Sequence, residues 1–257
     1  MESEDRFLPT PKSAFIILII TFLLLLPLGL KLFLLLGKTR LLLGEVMIMI
    51  PAATYVCLKK LPFRLVFRLK GVRWEAALAS LLIGISATVL IDELDRLIQL
   101  IFPMPEEIYE TLTSTLKIHS LEDWIIILSS SIILAGFLEE MFFRGFLQGA
   151  LERAGDVTRA VVITAIVFAT LHLNPWWIIQ ITFLGLLLGI MTWRSGSILP
   201  AALVHGINNG MAVYFANVDD SKIGWYLWGE HVSPVILLLM GGLIVVGFRL
   251  FYRHSQR

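Results

Sequence analysis

The chain has 257 residues, of which 57% are hydrophobic and only 16% charged, and its formal net charge is +1. A typical soluble domain is about 25% charged, and this much apolar surface cannot be buried in a single globular core, whereas lipid can solvate it. The near-neutral charge points to neither a nucleic-acid nor an acidic partner, and the single cysteine, Cys57, excludes an intrachain disulfide.

Eight apolar stretches approach the length of about 20 residues that a membrane-spanning helix needs. They cover residues 13–36, 41–58, 74–102, 124–147, 157–173, 176–193, 198–216 and 235–252. Unbroken runs of this length argue against the alternating strands of roughly ten residues that build membrane barrels. We predict an all-α polytopic membrane bundle of about eight transmembrane helices, which forms one membrane domain over residues 1–257. Lys31 and Glu45 interrupt the first two stretches.

Basic residues collect on one side of the predicted spans, as is typical of cytoplasmic loops. The loop between the second and third spans carries Lys59, Lys60, Arg64, Arg68, Lys70 and Arg73. Acids collect on the other side, at Glu106, Glu107, Glu110, Glu122, Asp123, Asp219, Asp220 and Glu230. Lys38 and Arg40 are exceptions to this pattern. The charges predict that both termini are cytoplasmic (N-in and C-in), and residues 59–73 also fit an interfacial amphipathic helix.

Three of the predicted spans contain polar side chains that are costly in lipid. They carry Glu139, Glu140 and Arg144 in the fourth span, His172 at the end of the fifth, and His205, Asn208 and Asn209 in the seventh. A charge at mid-depth costs at least about 2.5–3.5 kcal/mol, so such residues face a protein or water-filled interior and mark a functional site. The third stretch also carries Asp92, Glu93, Asp95 and Arg96, which is compatible with an end outside the hydrocarbon.

Helix geometry places these side chains at similar depth. At a rise of 1.5 Å per residue, Glu139 lies roughly 12–15 Å and His172 very roughly 20 Å from the cytoplasmic ends of their spans. By the same rise, His205 and Asn209 lie roughly 11 and 17 Å into the seventh span. The four side chains are therefore expected in one layer near mid-membrane.

The spacing within each helix suggests separate roles. Glu140 and Arg144 are four residues apart and can pair on one helix face, whereas Glu139 is rotated by about 100° and stays free for chemistry. A carboxylate beside a histidine can share a water molecule and act as general base. The second histidine and an asparagine amide are suitable donors to an oxyanion. The set describes attack of water on an amide, although Asn208 makes the choice of amide less secure.

In chain order, these residues form the motifs EExxxR (Glu139, Glu140, Arg144), FxxxH (Phe168, His172) and HxxxN (His205, Asn209). The chain thereby resembles the CAAX-protease and bacteriocin-processing family, intramembrane glutamic endopeptidases related to the type II CAAX prenyl endopeptidase. The resemblance implies a catalytic core over residues 124–216. It also implies that Glu139 and His172 activate the water, that His205 and Asn209 hold the oxyanion, and that Glu140 and Arg144 orient the site.

The same residues are also compatible with two other functions. Glu139, His172 and His205 also form a common catalytic zinc set, although there is no HExxH helix and Asn209 is a poor zinc ligand. Alternatively, the chain is a non-proteolytic scaffold or a proton-coupled transporter, in which buried Glu and His relay protons. Transport usually requires a continuous polar path and paired repeats, whereas the polar residues here form one main cluster.

The sequence therefore predicts an intramembrane endopeptidase without metal or cofactor, whose site opens toward the cytoplasmic leaflet. Its expected partners are the lipid bilayer and a peptide or protein substrate, prenylated or membrane-embedded, but no nucleic acid. We expect a multi-pass integral membrane protein, in the cell membrane if the source is prokaryotic.

Overall fold

A computed structural model describes residues 8–255, without the side chains of residues 28–35 and of Asp220. The described residues form ten helices, a 3-10 turn (Asp220–Lys222) and a small β hairpin. The continuous segment Leu121–Arg153 is counted as one helix. The helices are α1 (Pro11–Leu35), α2 (Thr39–Leu58), α3 (Phe63–Val66), α4 (Trp74–Ile101), α5 (Glu106–Leu116), α6 (Leu121–Arg153), α7 (Val157–Leu171), α8 (Ile178–Ser195), α9 (Leu199–Asn217) and α10 (Pro234–His254). Strand β1 (Leu227–Trp228) pairs antiparallel with β2 (His231–Val232).

The all-helical membrane architecture is confirmed. Five described helices, α2, α4, α6, α8 and α10, are long and apolar enough to cross a bilayer, and α7 and the Pro11–Pro27 part of α1 are shorter apolar helices. Helix α9 is less apolar, because His205, Asn208 and Asn209 lie within it. All eight predicted stretches are thus helical, but the count of eight crossings and the N-in, C-in orientation stay predictions.

Helix α6 has two features that its apolar sequence did not reveal. Its middle part is wound as a π-helix over Leu128–Glu139 and Met141–Leu147. The π-helix is rare in proteins and, where it occurs, often lies at a functional site. Its start is fixed by Ser120, whose hydroxyl accepts a hydrogen bond from the Asp123 amide at 3.1 Å. Glu139 and Glu140 therefore lie where the two π-helical parts meet.

Helices α6 and α9 cross closely enough to leave no room for side chains at the crossing. A Cβ atom added to Gly136 would lie 3.2 Å from the Gly206 amide nitrogen, and one added to Gly206 would lie 3.1 Å from the Ile132 carbonyl oxygen. These two glycines let the backbones approach, as small residues do at membrane helix interfaces. The crossing brings the Glu139–Glu140 pair beside His205.

Helices α7 and α8 meet at a second close crossing, where Gly185 and Gly189 of α8 face α7. A Cβ atom on Gly185 would lie 3.0 Å from the Ala165 Cα, and one on Gly189 would lie 2.9 Å from a Val161 methyl carbon. The same two glycines expose their carbonyls to α6, since Gly185 accepts a hydrogen bond from Arg144 at 3.4 Å and Gly189 accepts one from Gln148 at 3.0 Å.

The basic loop before α4 is not an interfacial amphipathic helix, and that alternative was wrong. Only Phe63–Val66 is helical, and the next residue, Phe67, is fully buried against α6. A Cβ atom on Gly145 would lie 2.8 Å from the Phe67 Cα. Arg68 then forms a two-pronged salt bridge with Glu152 at 2.6 and 3.1 Å. Aromatic packing thus inserts the loop into the bundle.

Polar contacts fasten the hairpin region to the far end of α4. The Tyr226 hydroxyl donates to Asp92 at 2.8 Å, and the Glu93 carboxylate contacts the His231 ring and accepts from the Val232 amide, both at 2.8 Å. Burial, and then the nearby Asp92 carboxylate, raise the pKa of the Tyr226 phenol above its usual range. At the same end, Lys38, the exception to the charge pattern, pairs with Asp123 at 2.9 Å.

Candidate active site

A cavity of about 400 Å³ lies between α2, α4, α6, α7, α8 and α9. That size is in the usual range for small-molecule and peptide side-chain sites. Apolar residues such as Ile91, Ala135, Phe168, Leu184 and Phe215 form much of its wall. Its polar lining consists of Glu45, Thr88, Asp92, Asp95, Ser131, Glu139, His172, Gln180, His205, Asn208 and Asn209. The structure thus brings Glu139, His172, His205 and Asn209 to one cavity.

Glu139 faces the cavity from the middle of α6. Its Oε2 atom is buried and has no hydrogen-bond donor among the described residues. A carboxylate with an unused acceptor atom can bind the hydrogen of a water molecule. Glu139 is therefore placed where a general base would act.

Glu140 and Arg144 lie on the inner face of α6, away from the cavity lining, and both are completely buried. Arg144 Nη1 donates to Glu140 Oε1 at 3.0 Å, and the guanidinium carbon lies 4.1 Å from the centre of the Phe168 ring. The pair predicted from the four-residue spacing is present. The aromatic face and the ion pair together compensate for the burial of the arginine.

His172 follows the last residue of α7 and is exposed on the cavity side. Leu173 adopts a left-handed backbone conformation with a φ angle of 54°, an uncommon conformation for a branched residue. This turn ends the helix at His172. The His172 Nδ1 atom donates to the Phe168 carbonyl at 2.8 Å, because a carbonyl oxygen can only accept. In the neutral ring, Nε2 is therefore the free acceptor that can bind water.

His205 is almost fully buried, and its Nδ1 atom contacts Glu140 Oε1 at 3.0 Å. Since the same oxygen also binds the positively charged Arg144, the carboxylate is the acceptor and Nδ1 carries a hydrogen. The neutral ring would then present only an acceptor at Nε2. His205 can therefore donate to an oxyanion only as the imidazolium, which Glu140 is placed to stabilise.

Asn209 is partly committed to holding α6 and α9 together. Its side-chain amide donates to the Ser131 carbonyl at 2.8 Å. One amide hydrogen is thereby used, and the second remains for another acceptor. Asn208 lines the same cavity, so geometry alone leaves both asparagines as candidate donors.

Several lining residues were not assigned to the site from the sequence. Glu45 reaches it from α2, Asp95 from α4 and Gln180 from α8, and Gln180 donates to Asp95 at 2.5 Å. The available signal was the same for Glu45 and Asp95 as for Glu139, namely a charge within an apolar span. The motif spacing did not include them, because their proximity comes from packing between distant helices.

The described residues do not offer a donor set for a metal ion. Among residues 8–255, no three His, Cys, Asp or Glu side chains lie together at metal-binding spacing. His205 Nδ1 is occupied by Glu140. The zinc alternative is therefore not favoured.

Residues 121–211 match the protein-family model described as Rce1-like: Type II CAAX prenyl endopeptidase Rce1-like. This part of the chain is Rce1-like. The match spans about a third of the 257 residues and contains all three motifs, which confirms the resemblance found from them. No curated protein and no solved structure matches the chain.

Rce1-like proteins are CAAX endopeptidases, which are hydrolases of peptide bonds. The matched segment and the five long apolar helices support an integral membrane protein. Helices α1 to α5 lie outside the matched segment, and so does Glu45.

Proposed function

We propose that the Rce1-like chain is an intramembrane endopeptidase that hydrolyses its substrate with water activated by Glu139 and His172. The observation that carries the proposal is the convergence of Glu139, His172, His205 and Asn209 on one cavity from three helices. Their positions are spread over about 70 residues of sequence, and only the helix crossings bring them together.

The proposed reaction begins with a water molecule between Glu139 and the free Nε2 of His172. Glu139 takes one proton as the water oxygen attacks the carbonyl carbon of the peptide bond. Imidazolium His205 and Asn209 donate hydrogen bonds to the oxyanion that forms. The carbon–nitrogen bond then breaks, and Glu139 passes the proton to the leaving amine. Glu140, which is paired with Arg144, orients His205 through the contact with its Nδ1 atom.

The proposal includes the wider architecture. All eight long helices cross the bilayer with both termini cytoplasmic, residues 1–257 form one membrane domain, and residues 124–216 are its catalytic core. The apolar wall of the cavity accommodates a prenylated or membrane-embedded peptide. In a prokaryotic source the location would be the cell membrane.

The proposal is tested with purified protein in proteoliposomes and a library of quenched peptides, with and without a C-terminal prenyl group. We expect cleavage by the wild type, no cleavage by His172→Ala, and no effect of a strong chelator. Activity that is lost in the chelator and restored by zinc would instead establish a metalloprotease. Absence of cleavage of every peptide, with the cellular phenotype preserved in His172→Ala, would favour a scaffold.

A separate experiment identifies which asparagine is the oxyanion donor. We expect Asn209→Ala to reduce kcat by about 10²–10³-fold, since removal of one oxyanion donor has an effect of that size. Asn208→Ala is the matched control, because it removes the adjacent amide from the same cavity, and its kcat should stay within a few-fold of wild type. The reverse order would transfer the role to Asn208.

A further inference from the structure

Glu45 is a charged residue in the otherwise apolar middle of α2, outside the segment that matches the family model. Its side chain lines the same cavity as Glu139. One oxygen of each, Glu45 Oε2 and Glu139 Oε2, is buried without a donor among the described residues. The helices that bear them, α2 and α6, pack directly on each other.

Two carboxyl groups in this arrangement cannot both be ionised at low cost. Like charges in contact repel strongly where the dielectric constant is low, and paired carboxyls respond by retaining one proton between them. A hydrogen bond between two carboxyl groups also requires that one of them carries a hydrogen. A hydrogen bond between Glu45 and Glu139 would therefore need a proton on one of the two carboxyl groups.

On the described cavity wall, the one positive charge is the imidazolium that the proposed reaction assigns to His205, and Glu140 already pairs with it. The other titratable side chains of the cavity are Asp92, Asp95, His172 and His205. Within residues 8–255, no lysine or arginine lines it. Arg144 pairs with Glu140 on the inner face of α6. The Nδ1 atom of His172 contacts the Phe168 carbonyl, and the Nδ1 atom of His205 contacts Glu140.

We propose that Glu45 is a positioning residue that retains a proton and donates a hydrogen bond to Glu139, thereby fixing the orientation of the general base. The inference rests on the proposed function of Glu139. During the reaction Glu139 takes a proton from water and returns it to the leaving amine, while the Glu45 proton stays in place. The second carboxyl thus keeps one oxygen of Glu139 occupied and leaves the other for the water.

The arrangement explains why a glutamate occurs in an apolar helix. A protonated carboxyl is neutral, so its insertion into the bilayer is less costly than that of a carboxylate. It also lowers the cost of Glu139, whose negative charge gains a donor. Stability alone would favour an apolar residue at this position, since burial of a polar group is unfavourable unless it is fully hydrogen-bonded.

The proposal is tested by infrared spectroscopy and kinetics on the purified full-length protein. At neutral pH we expect the wild type to show the carbonyl stretching band of a protonated carboxylic acid, and Glu45→Gln to lack it. Glu107→Gln, which changes an exposed glutamate of α5, should keep the band. Persistence of the band in Glu45→Gln would overturn the proposal. This measurement requires no substrate, so it is independent of whether the chain cleaves the chosen peptide.

The kinetic test uses two replacements of Glu45 that differ in one property. Glu45→Leu removes the donor and should lower kcat by about 10–100-fold, as is typical for an orienting partner, with KM within about threefold. Glu45→Gln retains an N–H donor and should recover most of that loss. Unchanged kcat in Glu45→Leu, or equal losses in both variants, would overturn the positioning role. Thermal unfolding of each variant shows whether a loss of kcat comes from misfolding. If Glu45→Leu is misfolded, kcat is compared between Glu45→Gln and Glu45→Asp.

Discussion

The substitution Glu139→Gln is expected to lower kcat by roughly 10²–10⁴-fold, the range that general acid–base catalysis contributes. The replacement preserves the size of the side chain and a hydrogen-bond acceptor, but the amide cannot take a proton from water. KM should change by less than about threefold, because the carboxylate acts on the water and not on the bound peptide. Initial rates over a range of peptide concentrations in proteoliposomes measure both constants.

The control for this experiment is Glu107→Gln, which makes the same chemical change on the exposed surface of α5. It should cleave like the wild type. Retention of full activity by Glu139→Gln would exclude the mechanism, whereas a loss that is accompanied by a lower unfolding temperature would assign Glu139 a structural role. Since Glu139 Oε2 makes no hydrogen bond among the described residues, we expect the unfolding temperature to stay close to that of wild type.

The sequence predicted the helices and the internal geometry of α6 because both depend on local properties. Apolar length defines a membrane helix, and four-residue spacing places Glu140 beside Arg144 on one face. The observed pair at 3.0 Å follows directly from that spacing. The position of Glu139 on a different face follows in the same way.

Features that depend on packing between distant helices could not be derived. Glu45 and Glu139 are about 90 residues apart, and only the packing of α2 on α6 brings them to one cavity. Likewise, the sequence identified His205 as a donor, but the contact with Glu140 shows that its Nδ1 atom is already engaged. Residues 59–73 also fitted an interfacial amphipathic helix, yet burial of the Phe67 ring determines the position of this loop.

The substitution Arg144→Met is expected to reduce the free energy of unfolding by about 3–5 kcal/mol, the cost of removing one partner from a buried ion pair. Arg144 and Glu140 are both inaccessible to solvent. Without the guanidinium, the Glu140 charge would keep only the His205 contact. Thermal or denaturant unfolding in detergent micelles measures the loss, and Arg64→Met, at an exposed arginine of α3, is the matched control.

The double variant Glu140→Gln/Arg144→Met separates the ion pair from simple loss of volume. Removal of both charges should restore most of the stability, because no charge is then left buried alone. It should not restore cleavage, since His205 would lose the carboxylate that stabilises its imidazolium form. Cleavage at the wild-type rate in the double variant would show that neither the pair nor the charge on His205 takes part in the reaction. In the double variant, stability should therefore recover while cleavage does not. This difference distinguishes a role of the pair in orienting the site from a role in folding alone.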